Sequence, residues 1–276
     1  MSQPKISVCI PVFNGQDFIE EAINSVLNQN FSDYELLIID NHSSDNTVSI
    51  VKKFIDSRIK LIENTENIGL IPNWNKAIEN AKGKYIKILP ADDFIYQDCL
   101  LKQSEILDKD INEEISMVCS RRNIIDNSGK NLFNRGFSKK DLVISGVQAI
   151  NKNIRSGGNI IGEGGAIMFR KNIIAKTGVF NSKIFYVLDL DLWYKILLNG
   201  KLYALPDVLS AFRISASSAS VNIIDKQYQD VKSFINLIYS NKSYKVTFIN
   251  AKIGIFKAYV LTKAKKILYK KLLNKS

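Results

Sequence analysis

Short apolar runs alternate with segments of helical periodicity through the first third of the chain. The runs have the length and β-branched content of strands, and turn residues flank them. Between them, apolar side chains recur three and four positions apart, which is typical of helices packed on one face. In chain order the segments are strand 6–10, helix 18–28, strand 34–40, helix 47–55, strand 59–62, helix 70–80 and strand 85–89. This alternation predicts right-handed βαβ units and an α/β fold with a mainly parallel central sheet flanked by helices.

The fourth predicted strand ends in two adjacent carboxylates, Asp92 and Asp93. Adjacent carboxylates repel each other unless a cation lies nearby, and the hard divalent cations prefer oxygen ligands. A metal held there can in turn bind a diphosphate. The alternative is that Asp92 caps a helix beginning near Tyr96 while Asp93 is solvated. These residues alone leave both interpretations open.

Polar clusters follow three of the predicted strands, at residues 14–16, 40–45 and 92–93. Ligands of parallel sheets bind at the carboxyl ends of the strands, so these clusters mark the expected site. The turn at 11–15 reads Pro-Val-Phe-Asn-Gly, which lacks the Gly-x-Gly-x-x-Gly of dinucleotide-binding domains. The chain also has no Gly-Lys-Ser/Thr loop. Because no glycine-rich cradle is available for phosphate, a metal at Asp92 and Asp93 is favoured.

Composition bounds the size of the core and the cellular compartment. The chain has 276 residues, of which 46% are hydrophobic, enough for one large domain or two small ones. Cys9, Cys99 and Cys119 lie far apart in or beside apolar runs, which favours buried free thiols in a reducing compartment. No apolar run reaches the ~18 residues of a membrane-spanning helix, and the N-terminal run is too short for a signal peptide. We therefore expect a cytoplasmic protein that is soluble or peripheral on a membrane.

The net charge of +11 is concentrated in the C-terminal tail. Residues 242–276 contain ten lysines and no acidic residue, which leaves a charge of +1 for the rest of the chain. Apolar residues recur in the tail at helical spacing, namely Ile249, Ile253, Phe256, Val260, Ala264, Ile267 and Leu268. One interpretation places this basic amphipathic helix on an anionic cytoplasmic membrane face, where each lysine adds ~1 kcal/mol of attraction. In the other, the apolar stripe packs on the preceding domain. Aromatic residues are too few among the lysines to indicate nucleic-acid binding.

Five segments together resemble an inverting glycosyltransferase of family 2 with the Rossmann-like GT-A fold. They occur in the order and spacing of that family over residues 5–220, and each is weak alone. The segments are 7–15 (SVCIPVFNG), 35–47 (ELLIIDNHSSDNT), 67–69 (NIG) with Asn75, 83–93 (GKYIKILPADD) and 188–193 (LDLDLW). The resemblance implies a catalytic domain at 1–220, followed by a helical, lysine-rich extension at 221–276.

The resemblance also implies roles for particular residues. Asp189 matches the catalytic base, Asp40 the residue that binds the nucleotide base, and Asp92 and Asp93 those facing the ribose and a diphosphate-bound Mn²⁺ or Mg²⁺. The full set of implied nucleotide-sugar contacts is Pro11, Phe13, Asn14, Asp40, Asn67, Gly69, Asn75 and Asp92. The implied acceptor-side residues are Gly162, Glu163 and Trp193, although Gly162 also suits an ordinary glycine-rich connection and Trp193 a core position.

Three positions depart from the family's motifs. Pro90 replaces the first carboxylate of an Asp-x-Asp-Asp motif, and Leu188 replaces the glutamate that precedes the base. Ser215 follows Phe212-Arg213-Ile214 where the family has a histidine. We expect the change at Leu188 to remove a charge that would raise the pKa of the base.

The expected function is inverting transfer of a hexose from a nucleotide-diphospho sugar, with UDP the expected nucleotide. The acceptor is expected to be a hydroxyl of a glycan or lipid-linked glycan in the synthesis of a surface polysaccharide such as O-antigen or capsule. The alternative is a non-catalytic protein that binds sugar nucleotides or glycans, and the three departures from the motifs favour it. The presence of Asp40, Asp92, Asp93 and Asp189 together favours the enzyme.

Overall fold

The computed structural model describes residues 3–181, 185–214, 224 and 226–273. Ten strands of the described chain form one mixed sheet. They are β1 (Ile6–Val12), β2 (Tyr34–Asp40), β3 (Ile59–Glu63), β4 (Tyr85–Ile88), β5 (Phe94–Ile95), β6 (Ile115–Ile125), β7 (Asn131–Arg135), β8 (Leu142–Ser145), β9 (Ile167–Arg170) and β10 (Lys201–Arg213). Their order across the sheet is β3-β2-β1-β4-β9-β6-β10-β5, with β7 beside β6 and β8 beside β10.

Helices cover both faces of the sheet. They are α1 (Ile19–Leu27), α2 (Thr47–Val51), α3 (Leu70–Asn80), α4 (Cys99–Lys109), α5 (Gly146–Ser156), α6 (Ile174–Thr177), α7 (Leu188–Leu197), α8 (Gln227–Ser240) and α9 (Phe248–Leu273). Short 3₁₀ segments lie at Gly164–Ala166, Lys171–Ile173, Phe185–Val187 and Lys242–Tyr244.

The first four strands of the chain, β1 to β4, are mutually parallel, as the alternation of strands and helices predicts. All seven residues of β1 and of β2 are buried, because helices cover the sheet on both sides. Beyond β4 the sheet becomes mixed, since β9 pairs antiparallel to both β4 and β6. The predicted fold class, a mainly parallel sheet flanked by helices, is confirmed.

The segment before Asp189 is helical rather than extended. The apolar run 184–188 also has the pattern of a strand, but Phe185–Val187 is a 3₁₀ turn and α7 begins at Leu188. Residue 184 lies outside the described residues. The physical reason is that the turn packs against α8, away from the sheet, and has no strand partner for its backbone. Asp189 is therefore in the first turn of a helix.

The C-terminal helix packs on the domain through small residues. A Cβ built on Gly254 would lie 2.2 Å from the carbonyl oxygen of Ile154 in α5, and one on Gly157 would lie 2.6 Å from the backbone nitrogen of Ala258. Such contacts show that α9 and the end of α5 approach each other backbone to backbone. Residues of α8 and α9, such as Phe234 and Ala251, consequently belong to one buried cluster with the core of the sheet domain.

The stripe of apolar residues identified in the tail faces outward. Ile249, Phe256, Val260 and Ile267 are exposed, whereas Ala251 and Ala258 on the opposite face are buried. These four residues therefore do not pack on the domain, and α9 contacts it instead through small residues, which allow a closer helix contact than large ones. Within the described residues, no helix is both long enough and apolar enough to cross a membrane.

Candidate functional site

A cavity of about 710 Å³ opens at the carboxyl ends of the parallel strands. Its volume lies within the range of small-molecule sites. One half is lined by loops that follow β1, β2 and β4, and the other half extends between α5, α8 and α9. Eight of the residues predicted from the sequence line it, namely Pro11, Phe13, Asn14, Asn67, Gly69, Asp92, Glu163 and Asp189.

Asn14 joins the first two loops of the cavity. It adopts the left-handed conformation with φ 50°, which asparagine tolerates better than most residues. Its backbone N–H donates to Ser43 Oγ at 2.9 Å, and its Oδ1 accepts from the N–H of Ser44 at 2.9 Å. Next to it, Gly15 N–H donates to Thr47 Oγ1 at 2.8 Å. These bonds set the backbone of the β1 loop against the β2 loop before any ligand binds.

Side-chain amides fix the neighbouring loop between β3 and α3. Asn41 Nδ2 donates to Asn67 Oδ1 at 2.7 Å, and Asn41 Oδ1 accepts from Asn64 Nδ2 and from the N–H of Ile68. Gly69 takes φ 88° at the start of α3, which favours glycine. Asn41 lines the cavity but is missing from the residues predicted. The sequence feature that could have identified Asn41 is its position directly after Asp40, at the end of a strand.

Asp40 lies just behind the cavity wall at the end of β2. Its side chain is 2% exposed, and Oδ2 accepts the N–H of Ser43 at 3.0 Å. Oδ1 is buried and has no hydrogen-bond partner among the described residues. An unpaired buried acceptor is costly, so a ligand N–H that reached Oδ1 would recover free energy.

Asp92 and Asp93 have different surroundings. Asp92 lines the cavity, whereas Asp93 is 3% exposed, absent from the lining, and accepts the backbone N–H of Arg213 at 2.9 Å. The Arg213 guanidinium donates to the carbonyl of Asp92 at 2.9 Å, forms an ion pair with Glu21 and lies over the Phe18 ring. Burial and the charge of Asp92 raise the pKa of Asp93 well above its usual range. Asp93 thus joins the loop after β4 to β10 and, unlike Asp92, does not line the cavity; its role as a metal ligand stays a prediction.

Asp189 lines the cavity from the first turn of α7. Burial and, next, the Glu163 carboxylate raise the pKa of Asp189 to about 7, while Arg122 opposes them. A carboxylate with this pKa is suited to accept a proton near neutral pH. Leu188 carries no charge, as expected, yet the pKa of Asp189 is raised all the same. Glu163, distant in sequence, supplies that charge in space.

Arg122 connects Glu163 to the wall of the site. It is 1% exposed, forms an ion pair with Glu163 and donates to the carbonyl of Asn159 at 2.9 Å. It lines the cavity and was not predicted. The signal was an arginine inside the apolar run 115–125, because a buried charge requires a partner.

The remaining predicted site residues are not part of the cavity lining. Asn75 exchanges two hydrogen bonds with the backbone of Phe180, both at 2.9 Å. Trp193 is 0% exposed, and its Nε1 donates to the carbonyl of Gly162 at 3.1 Å, so both residues of this pair are structural. The Gly162 carbonyl and the Trp193 indole thus satisfy each other inside the core, and an acceptor-side role for either residue stays a prediction. Ser215 lies outside the described residues.

The arrangement of sheet and helices is that of solved glycosyltransferases with the GT-A fold. S. aureus TarS 1-349 in complex with UDP-GlcNAc superimposes with a TM-score of 0.67 at 18% identity, over 85% of this chain and 66% of that one. The Pyrobaculum calidifontis mannosyltransferase PcManGT, in complex with GDP-Man and Mn²⁺, gives a TM-score of 0.64 at 18% identity, over 94% of this chain and 70% of that one. At these identities the likeness shows the fold.

The chain belongs to glycosyl transferase family 2, whose family model matches residues 7–178. An uncharacterized glycosyltransferase of Rickettsia prowazekii is 29% identical over 236 residues, which cover 83% of this chain and 71% of the relative. A Bacillus subtilis protein named for teichuronic acid biosynthesis is 38% identical over 107 residues, 38% of this chain and 42% of its own length. The resemblance recognised in the motifs is confirmed.

Proposed function

We propose that this protein transfers a hexose, with inversion, from a UDP-sugar to a hydroxyl of a glycan or lipid-linked glycan in the synthesis of a surface polysaccharide. The observation that carries the proposal is a carboxylate with a pKa of about 7, Asp189, in one cavity with the loops after β1, β2 and β4. Structural neighbours that bind UDP-GlcNAc and GDP-Man, and the relative named for teichuronic acid, support the donor and the acceptor classes.

The reaction needs one proton acceptor and one leaving group. The acceptor oxygen attacks the anomeric carbon as the bond from that carbon to the diphosphate oxygen breaks, and UDP leaves with the electron pair. Asp189 takes the hydroxyl proton, which its raised pKa favours. Attack on the face opposite UDP converts an α-linked donor into a β-linked product.

The donor half of the site is assigned from polar groups that are already in place. Asp40 Oδ1, buried and without a hydrogen-bond partner in the described part of the chain, is proposed to accept an N–H of the uracil. Pro11, Phe13 and Asn14 are proposed to line the nucleotide, with Asn67 and Gly69 on the opposite loop. Asn75 is excluded from this set because its side chain bonds to Phe180.

A divalent cation fits this site through Asp92. Mg²⁺ and similar ions bind through one or two carboxylates together with substrate phosphates, so a single cavity carboxylate suffices. Within the described residues no group of three or more His, Cys, Asp or Glu forms a cation cage. When bound, Mn²⁺ or Mg²⁺ would neutralise the diphosphate charge; Asp92 would hold it and Asp93 would not.

The neighbouring aspartates offer a matched pair of variants for the metal. Asp92→Asn is expected to weaken UDP binding in Mn²⁺ on the order of 10–100-fold and to abolish the difference made by the cation. Asp93→Asn keeps an oxygen to accept from Arg213 N–H and is expected to preserve the effect of Mn²⁺. Calorimetry of UDP with and without Mn²⁺ measures both. Loss of the Mn²⁺ effect in Asp93→Asn alone would reverse the assignment.

The pKa of Asp189 predicts the acid limb of the pH profile. As a base it works when deprotonated, so kcat/KM should fall below about pH 7. Glu163→Gln removes a charge that raises this pKa and leaves Arg122, which lowers it, so the limb should move to lower pH. A pH–rate profile measures the shift independently of how much enzyme is folded. Glu114→Gln, an exposed surface control, should leave the limb in place, and an unmoved limb in Glu163→Gln contradicts the coupling.

Membrane binding is proposed for the outer face of α9. Phe256, Val260 and Ile267 are exposed there among the lysines of the tail. Because α9 also packs on the domain, single substitutions test this better than truncation. Phe256→Glu should weaken co-sedimentation with phosphatidylserine vesicles at least tenfold, since it removes apolar contact and adds repulsion. Ile111→Glu changes an exposed apolar residue elsewhere and should have no effect. Equal binding by both variants would remove the proposal.

A donor screen tests the whole assignment. Purified protein is incubated with UDP-sugars, with and without Mn²⁺, and UDP release is followed. We expect slow hydrolysis of one donor because water can replace the acceptor beside Asp189. UDP binding without turnover of any donor would instead support the non-catalytic binding protein.

A further inference from the structure

The cavity continues well past Asp189, away from the nucleotide loops. Beyond Tyr186 and Leu188 its walls are formed by the end of α5 and by the two helices that follow the last strand, α8 and α9. A hexose donor bound across the β1, β2 and β4 loops occupies the other half. The second half begins at the proposed base, where the acceptor hydroxyl must lie, so it can receive only the acceptor.

The walls of this second half are largely apolar. From α8 they include Val231, Phe234 and Ile235, and from α9 they include Ala258 and Leu261. A polysaccharide chain is covered in hydroxyl groups, and these groups would lack hydrogen-bond partners on such walls. Apolar walls instead gain free energy by removing a hydrocarbon chain from water.

Close helix packing holds these walls in place. Gly157 and Gly158, at the end of α5, lie against α9 so closely that a Cβ on Gly157 would meet Ala258 and Lys257, and one on Gly158 would meet Leu261 at 3.4 Å. The wall is thus a fixed part of the fold, and both glycines also line the cavity.

Two cationic side chains line the same half. Lys265, on α9, donates to the hydroxyl of Tyr186 at 2.6 Å, and Arg135, at the end of β7, lies beside Gly158. The described lining residues include no Asp or Glu in this half beyond Glu163 and Asp189 at its entrance. Cations next to apolar walls match a ligand that combines an anionic group with a hydrocarbon chain.

We infer that the acceptor is a phosphate-bearing amphiphile whose apolar chain lies between α8 and α9, with its phosphate near Arg135 and Lys265 and its hydroxyl beside Asp189. This inference rests on the proposed function and chooses the lipid-linked acceptor over the free glycan. Continuity within α9 supports the choice, since Leu261 and Lys265 line the cavity while Val260 and Phe256 on the outer face are exposed beside lysines. One helix would then bind the lipid surface and the chain of a substrate drawn from it.

Binding of dodecyl phosphate below its micellar concentration tests this subsite without knowledge of the sugar. Two glutamine substitutions provide the comparison: Leu261→Gln changes the cavity wall, and Ile111→Gln changes an exposed apolar residue away from α9. The full-length protein should bind dodecyl phosphate by calorimetry at least tenfold more tightly than inorganic phosphate or dodecyl maltoside. Leu261→Gln should weaken it at least tenfold, and Ile111→Gln should leave it unchanged.

The outcomes separate this inference from the proposed function. Equal affinity of both variants, or no preference over inorganic phosphate and dodecyl maltoside, overturns the subsite. UDP binding, measured on the same samples, reports on folding and on the donor half. Turnover of a UDP-sugar without dodecyl phosphate binding rejects the amphiphile alone. Dodecyl phosphate binding at Leu261 without turnover of any donor rejects the transferase alone.

Discussion

Replacing Asp189 by asparagine is expected to lower kcat roughly 10²–10⁴-fold while UDP affinity stays within a few fold. The substitution keeps the shape of the side chain and removes its ability to accept a proton. Because the nucleotide loops lie in the other half of the cavity, donor binding should not depend on this carboxylate. The measurement is initial-rate kinetics together with calorimetry of UDP. An equal loss of kcat and of UDP affinity would instead indicate a role in donor binding.

Asp191 provides the matched control, two residues further along the same helix. Its side chain forms an ion pair with Lys195 at 2.6 Å and does not line the cavity. Asp191→Asn should therefore keep near-normal turnover, with any loss confined to stability. An inactive Asp191→Asn beside an active Asp189→Asn would show that the other carboxylate is the base.

Trp193→Ala is expected to destabilise the folded protein by about 3–5 kcal/mol, as for other large aromatic residues removed from a core. Trp193 is 0% exposed, packs against Phe169 and Phe180, and bonds to the Gly162 carbonyl through its indole N–H. Its loss would leave a large void and an unpaired carbonyl at the loop that carries Glu163. Urea denaturation followed by circular dichroism gives the free energy of unfolding.

Trp74 serves as the comparison for Trp193. It is partly buried, lines the cavity and touches Phe180 edge-on at a ring distance of 5.3 Å. Trp74→Ala should cost less stability, because part of its surface is already exposed to water. A stable Trp193→Ala protein that has lost only its response to acceptor would instead support the acceptor-side role.

The donor half of the site could be predicted largely from sequence because its information is local. Each strand of β1 to β4 is followed within a few residues by its own functional loop, and parallel pairing brings those loops to one edge. Asn14 and Asp92 are predicted from these strand-end loops, the family resemblance adds Asn67, and all three line the cavity. The direction of a side chain does not follow from local sequence. Asp92 and Asp93 are neighbours, yet only the contact with Arg213 decides which one is buried.

The acceptor half was decided by tertiary structure. Glu163 raises the pKa of Asp189 only because the glycine-rich loop folds back beside α7, and periodicity along the chain carries no record of that contact. The buried face of α9 likewise cannot be read from periodicity. Its large apolar residues form a stripe in the sequence, but its small residues make the contact with α5. The sequence by itself determined the βαβ order, the family and the strand-end loops, since these follow from local pattern. Only the tertiary structure decided which carboxylates interact and which face of a helix is buried, because electrostatic and packing energies depend on distance in space.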